Sequence, residues 1–331
     1  MREIKQSDFR LFASQHERVT VGEAEIRLRG HQNPKVLEPV DFKLETTTLW
    51  SFPKRGNWAP QIARNLILRY SRPGDLILDQ MVGGGTTLVE CRLTGRNAIG
   101  VDINYNSLMV AMDRLNFPIA PPRSAMRQLP LFQGRHETSN AQSESQDTSQ
   151  EPAIRLFHGD ARNLDLISDD SIDLVATHPP YSNIIQYSRP GEANSASDLS
   201  RVQGITIYLQ EMHRVAYECY RVLKPGQYCA ILMGDTRRNR HYVPMAFYVM
   251  LTFLRAGFIL KEDIIKAQWN TGTEGLWARL SRDRNFFLIA HEHLFVFRKP
   301  LYGESSGNYL ENTYPGDNLA SPWNHLPQKR A

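Results

Sequence analysis

The sequence predicts an α/β fold, a doubly wound, mostly parallel seven-stranded sheet with a late antiparallel strand. Three observations carry that expectation. From about residue 57, short apolar runs ending at acidic residues alternate with segments of helical periodicity. Three successive glycines, Gly83 to Gly85, follow the first such run. The chain has 331 residues, 41% of them hydrophobic, enough for one large domain with additions and too apolar for wholesale disorder.

The elements follow in order. Residues 1–50 are polar and mixed, with weak alternation over Val19–Leu28, and read as an N-terminal extension of a domain covering 51–300. Between Asn57 and Tyr70 the apolar residues recur at helical spacing until Pro73-Gly74 breaks the pattern. Leu76–Leu78 is a short buried strand ending at Asp79, and Thr86 to about Leu93 is a helix closed by Gly95. Asn97–Val101 is a second strand ending at Asp102, and Asn104–Leu115 a helix. Residues 121–152 read as a disordered linker or insertion, because Glu137–Glu151 holds one small apolar residue and no aromatic. Ile154–Phe157 is a strand ending near Asp160, and Ile172–Ala176 is another. An amphipathic helix from Ile205 to Leu223 is closed by Pro225-Gly226. Tyr228–Met233 is then a strand, Val243–Arg255 a helix, and Phe258–Ile265 and Leu294–Phe297 the last strands. Residues 301–331 form a polar tail. This alternation gives right-handed crossovers.

Composition narrows the function classes. A net charge of +4 is compatible with nucleic acid without indicating it. Cys91, Cys219 and Cys229 form no CxxC pair, cannot build a zinc cluster alone, and suit a reducing cytosol. The polar N-terminus lacks a signal-peptide core, and no apolar run approaches a membrane span. The expected location is cytoplasmic.

Gly83 and Gly85 supply the first two glycines of a dinucleotide fingerprint, but Leu88 stands where the third would be. Asp79, just before the loop, would repel a pyrophosphate and attract an ammonium group. S-adenosylmethionine carries an ammonium, a sulfonium and no phosphate. Asp102, 19 residues after Gly83, occupies the place from which an acid accepts hydrogen bonds from ribose hydroxyls. Asp160, at the third strand tip, could meet the adenine amino group. Each acid alone reads more readily as a helix cap or a solvated loop residue. Three at successive strand ends point to a ligand, because open α/β sheets bind ligands there.

The fourth strand ends Thr177-His178-Pro179-Pro180-Tyr181. Two prolines fix the backbone and remove two N–H donors while leaving carbonyl acceptors. A rigid acceptor edge followed by an aromatic ring suits a flat heterocycle bearing an amino group. Tyr181 would stack on it, and His178 and the Pro179 carbonyl would accept the amino hydrogens.

Together these motifs carry a resemblance. Asp79-Gln-Met-Val-Gly-Gly-Gly-Thr-Thr87 resembles the cofactor motif of the exocyclic-amino (N4-cytosine/N6-adenine) DNA methyltransferases. Thr177-His-Pro-Pro-Tyr181 resembles their catalytic tetrapeptide, ordinarily Asp, Asn or Ser followed by Pro-Pro-Tyr. Phe52 to Trp58 sits where the family has a further cofactor-binding segment. The resemblance covers about Ser51 to Pro300 and implies a Rossmann-like methyltransferase fold with S-adenosyl-L-methionine as cofactor. It implies Asn57, Asp79, Gly83, Gly85, Thr86, Asp102 and Asp160 as cofactor-binding residues. The catalytic residues it implies are His178, Pro179, Pro180 and Tyr181. Methyl transfer would be direct, with no metal and no covalent intermediate. The departure is His178, whose neutral ring accepts one hydrogen bond and whose protonated ring accepts none. The TxPPY context is nearest the Ser-Pro-Pro-Tyr form, which favours N4 of cytosine over N6 of adenine.

The expected partner is DNA, read by loops. Arg189 and Arg201 follow the catalytic tip, and Arg237 and Arg238 follow the fifth strand. Trp269, Arg279 and Arg282 lie between the last two strands. Arginine and tryptophan together suit phosphate contact and base stacking, or equally the packing of a basic loop. His291 and His293 lack a clear third ligand and read as structural. Gln128-Leu-Pro-Leu-Phe132 resembles the pentapeptide by which bacterial replication proteins bind the sliding clamp, with Gln128 as polar anchor and Leu131 and Phe132 in an apolar pocket. The family also admits a paired restriction nuclease. Two other functions fit the same motifs: an RNA methyltransferase similar to the tRNA guanine-N2 enzymes, and a non-catalytic cofactor-binding regulator.

Overall fold

In the computed structural model the described residues are 1–22, 24–30, 32, 42, 44–52, 58–118, 151–181, 198–268, 274–304, 309 and 311–314. Strand β1 (Arg2–Ile4), helix α1 (Gln6–Gln15), the hairpin β2 (Arg18–Val21) and β3 (Ala24–Arg27), and β4 (Leu49–Ser51) precede the α/β alternation. That alternation runs α2 (Pro60–Tyr70), β5 (Leu76–Asp79), α3 (Thr86–Leu93), β6 (Asn97–Asp102), α4 (Tyr105–Leu115), β7 (Ile154–His158) and β8 (Ile172–Thr177). It continues through α5 (Ile205–Val222), β9 (Leu223–Gly234), the hairpin β10 (Thr236–Arg238) and β11 (His241–Val243), α6 (Met245–Arg255), β12 (Ile259–Ala267), α7 (Glu274–Asp283) and β13 (His291–Arg298).

The main sheet has the order β1-β7-β6-β5-β8-β9-β13-β12-β4. Its central seven strands match the predicted sheet, with β13 antiparallel to both β9 and β12. Residues 1–50, expected as an extension, supply both edges: β1 pairs antiparallel with β7, and β4 pairs parallel with β12. The stretch Ala267–Phe287, expected as a loop, carries helix α7.

Both faces of the sheet are covered, which explains why its strands read as continuous apolar runs rather than an in–out alternation. Ile77, Leu174, Ala176, Ala230, Leu232, Leu294 and Val296 pack with α2, α3 and α4. Their neighbours Leu78, Val175, Ile231, Met233, Phe295 and Phe297 pack with α5 and α6 on the other side. Beneath the glycine loop, Arg64 of α2 and Glu90 of α3 form a buried ion pair at 2.7 Å.

Strand β5 pairs parallel with β6 on one side and β8 on the other. Chain order reverses there, so the carboxyl ends of β5 and β8 flank the crevice in which open α/β sheets bind ligands.

Candidate active site

Gly83, Gly84 and Gly85 turn the chain from β5 into α3. Gly83 and Gly85 have φ of 49° and 79°, the left-handed region that favours glycine. Gly85 also serves helix packing: a Cβ there would lie 2.9 Å from the Cβ of Ala111 in α4. The close approach of α3 to the sheet, which the third glycine of the dinucleotide fingerprint would allow, is met instead at Gly100 of β6, where a Cβ would lie 2.9 Å from Leu88 Cδ2. A Cβ on Gly83 would meet nothing within 4 Å, so this side of the loop is open.

Asp79 was expected to offer a carboxylate to an ammonium group. The structure engages both its oxygens inside the fold. Oδ1 accepts from the Thr177 hydroxyl at 2.9 Å and the Met81 N–H at 3.3 Å, and Oδ2 accepts from the Thr87 hydroxyl at 2.5 Å. Burial pushes its carboxyl up to about 6 against those hydrogen bonds. Asp102 accepts the Gly83 N–H at 2.8 Å and the Asn104 N–H at 2.8 Å, which clamps the loop to β6. Burial raises this carboxyl also to about 6, over the opposing backbone N–H groups. Asp160 is committed to Arg162, whose guanidinium and N–H it accepts, and Arg162 reaches on to Glu211. The Thr86 hydroxyl accepts from Arg114 at 3.2 Å.

The Thr177–Tyr181 segment leaves β8 beside this loop. Pro180, expected to leave its carbonyl free, gives it to the Tyr208 hydroxyl of α5 at 2.8 Å. His178 Nε2 lies 2.7 Å from the Tyr181 hydroxyl, which donates to Glu292 Oε1 at 2.6 Å. Glu292 Oε2 accepts from Lys266 Nζ at 2.5 Å. Burial lowers the His178 pKa to about 4, with Glu292 acting to raise it and Lys266 to lower it. The Tyr181 ring rests on β9, where a Cβ on Gly234 would come within 2.8 Å of it. Trp58 joins the halves: its Nε1 donates to Thr87 at 2.8 Å, and its ring lies near-parallel to His178 at 6.2 Å.

Sequence reasoning missed Gly234, Lys266 and Glu292, and placed Trp58 only at the end of the Phe52–Trp58 segment. The available signal was charge inside apolar strands, at Lys266 in β12 and at Glu292, which points opposite to His291 and His293 in β13. Those histidines also acquire a third neighbour, since Asp235, His291 and His293 bring ligand-type atoms within 4.8 Å of one another. Asp235 accepts from the Ala246 N–H and the Tyr242 hydroxyl, and His293 Nδ1 lies 3.0 Å from Asp263.

Of the expected nucleic-acid contacts, Arg279 and Arg282 are exposed on α7. Arg201 lies in a short turn of helix over Leu199–Arg201, and Arg238 in β10. Arg237 donates to the Phe287 carbonyl and lies over the rings of Tyr242 and Phe286, so it holds the hairpin to the end of α7. Asn57, Gln128, Leu131, Phe132, Arg189 and Trp269 lie outside the described residues.

The type II beta methyltransferase M.BslI of Bacillus sp. (strain NEB-606) is 27% identical over 187 residues, covering 49% of this chain and 19% of that protein. The type II methyltransferase M.MjaI of Methanocaldococcus jannaschii is 27% identical over 167 residues, 44% of this chain and 55% of that protein. The chain thus spans less than two thirds of either relative. Among solved structures, a SAM-dependent methyltransferase from Methanosarcina mazei aligns with 71% of this chain and 97% of its own, at 16% identity and a TM-score of 0.41. The family described as DNA methylase matches residues 57–113 and 172–321, well over half of the chain and both motif regions. This chain belongs to the DNA methylase family.

Proposed function

We propose that the protein transfers a methyl group from S-adenosyl-L-methionine to the exocyclic amine of a DNA base turned out of the duplex, with N4 of cytosine favoured over N6 of adenine. The observation that carries this reading is a histidine, its pKa lowered by burial, set against an aromatic ring and hydroxyl at the strand end that adjoins the glycine loop. The crevice fits a cationic, phosphate-free donor: two carboxylates approach the loop, and Gly83 leaves its outer side open. When bound, S-adenosylmethionine supplies a methyl group activated by its sulfonium. A carboxylate has about four acceptor sites, so Asp102 keeps capacity for ribose hydroxyls after holding two N–H groups. Asp79 acts by its field and by joining Thr87 to Thr177. Asp160, occupied by Arg162, shapes its strand tip.

Turning a base out costs a few kcal/mol, offset by stacking on Tyr181. His178 and the Pro179 carbonyl accept the amino hydrogens, turning the nitrogen lone pair towards the methyl group. Orientation and electrostatics supply the acceleration. Arg201, Arg238, Arg279 and Arg282 contact the phosphates, and the Gln128–Phe132 peptide binds a sliding clamp. An assay with labelled donor on DNA, RNA and no nucleic acid, followed by nucleoside mass spectrometry, tests the reading. Label in 4-methylcytosine or 6-methyladenine of DNA is expected. Label confined to RNA, or none with donor bound, would overturn it.

A further inference from the structure

We propose that Lys266 and Glu292, acting through the Tyr181 hydroxyl, lock His178 in the Nε2–H tautomer and so make Nδ1 the ring's acceptor. One chain of hydrogen bonds joins Lys266, Glu292, Tyr181 and His178, and its direction is fixed at the lysine end. Lys266 of β12 and Glu292 of β13 are directly paired across the antiparallel ladder, and both are buried, at 1% and 3% exposure. An ammonium group has only donors, and it lies 2.5 Å from Glu292 Oε2. Burial acts to raise the Glu292 pKa, but the Lys266 ammonium and the hydrogen bonds from Lys266 and Tyr181 bring it below the ordinary carboxyl value. Glu292 is therefore ionised and can only accept.

Its other oxygen, Oε1, is 2.6 Å from the Tyr181 oxygen, so the single phenolic proton lies in that contact. The Tyr181 oxygen then has only lone pairs to offer His178 Nε2 at 2.7 Å, and the ring nitrogen must donate. A neutral imidazole protonated at Nε2 carries its lone pair on Nδ1. Without the carboxylate, the phenol is released to donate to Nε2. The proton then moves to Nδ1 and the acceptor is lost. Where the family's usual Asp, Asn or Ser presents an oxygen that accepts in any state, a histidine accepts only in the right tautomer. Lys266 and Glu292 are positioning residues that supply this condition. The tautomer stands on these contacts and on the charges of Lys266 and Glu292; its service to a substrate amine rests on the proposed function.

Nitrogen-15 NMR of the histidine-labelled full chain tests it, with the His178 signals assigned by their loss in His178→Gln. The wild type should show a protonated Nε2 and an unprotonated Nδ1. In the double variant Lys266→Met/Glu292→Leu, which removes both charges together, the pattern should invert. Tyr181→Phe, which keeps the ring and loses the hydroxyl, should give a mixture of tautomers. With donor affinity unchanged, kcat on DNA should fall at least tenfold in the double variant. A wild-type Nδ1–H tautomer, or an uninverted pattern in the double variant, overturns the lock. If the tautomers behave as expected but the wild type methylates no DNA, the lock stands and the functional reading fails.

Discussion

The Thr177 hydroxyl donates to Asp79 Oδ1 at 2.9 Å, a contact between residues 98 positions apart that makes the cofactor loop and the catalytic tip one unit. Asp79 is 3% exposed, so a lost donor is not replaced by bulk water. Thr177→Val keeps the shape and removes the donor. It should cost about 1–3 kcal/mol of stability, as expected when a buried acceptor is stranded. It should also raise the Asp79 pKa further and weaken donor binding near neutral pH. Urea unfolding and titration calorimetry measure both, and unchanged values would show that the contact is incidental.

The acids and the histidine separate donor binding from methyl transfer by pH. Asp79 and Asp102 sit at about 6, above their ordinary value, so they are charged above that pH and neutral below it. A cationic donor binds the charged form better, so its KM should rise as pH falls through about 6. His178 sits at about 4, below its ordinary value, so its ring stays neutral down to that pH. At saturating donor and DNA, kcat should therefore hold through pH 6 and fall only towards 4. Asp102→Asn should flatten the KM profile. Steady-state kinetics from pH 4.5 to 8 check this, and a joint fall of kcat at constant KM near pH 6 would contradict it.

Substitution of His178 weighs its acceptor role directly. His178→Asn restores an acceptor oxygen and should retain substantial activity with a flatter acid limb. His178→Ala should lose about two orders of magnitude in kcat, corresponding to roughly 3 kcal/mol. Donor affinity should survive in both. Single-turnover methylation at saturating donor and DNA makes the comparison, and a fully active alanine variant would leave the amine to the Pro179 carbonyl and Tyr181.

The two left-handed glycines predict unequal costs. Gly83→Ala meets open space and should cost only the backbone term, about 1–2 kcal/mol. Gly85→Ala adds a Cβ 2.9 Å from Ala111 and must push α3 from α4, so its loss should be larger, about 2–4 kcal/mol. Chemical denaturation of the two variants ranks them, and equal losses would remove the packing role assigned to Gly85.

The clamp peptide makes a separable prediction. Leu131→Ala with Phe132→Ala should abolish capture by a bacterial sliding clamp while leaving methylation of short duplexes intact. A pull-down that retains full capture by this variant would exclude Gln128–Phe132 as the contact.

The central sheet, the glycine loop and the proline-rich strand tip are legible in the amino-acid pattern. Each is written in local terms: an apolar run of strand length, a glycine where φ is positive, two prolines that hold the backbone. The last strand was also legible, because its apolar residues Leu294–Phe297 are contiguous, whereas its antiparallel direction is set by its pairing with β9 and β12. That residues 1–51 supply both sheet edges emerges only on folding, since edge pairing is set by backbone hydrogen bonds to β7 and β12 that leave weak side-chain patterns. Folding also decided what the acids do. Strand position marked Asp79, Asp102 and Asp160 alike, yet hydrogen bonding sends one to Thr87 and Thr177, one to the loop N–H and one to Arg162. The surroundings of His178 were the least legible, because Tyr181, Glu292 and Lys266 come from three segments that only the packing of β12 and β13 beside β9 brings together.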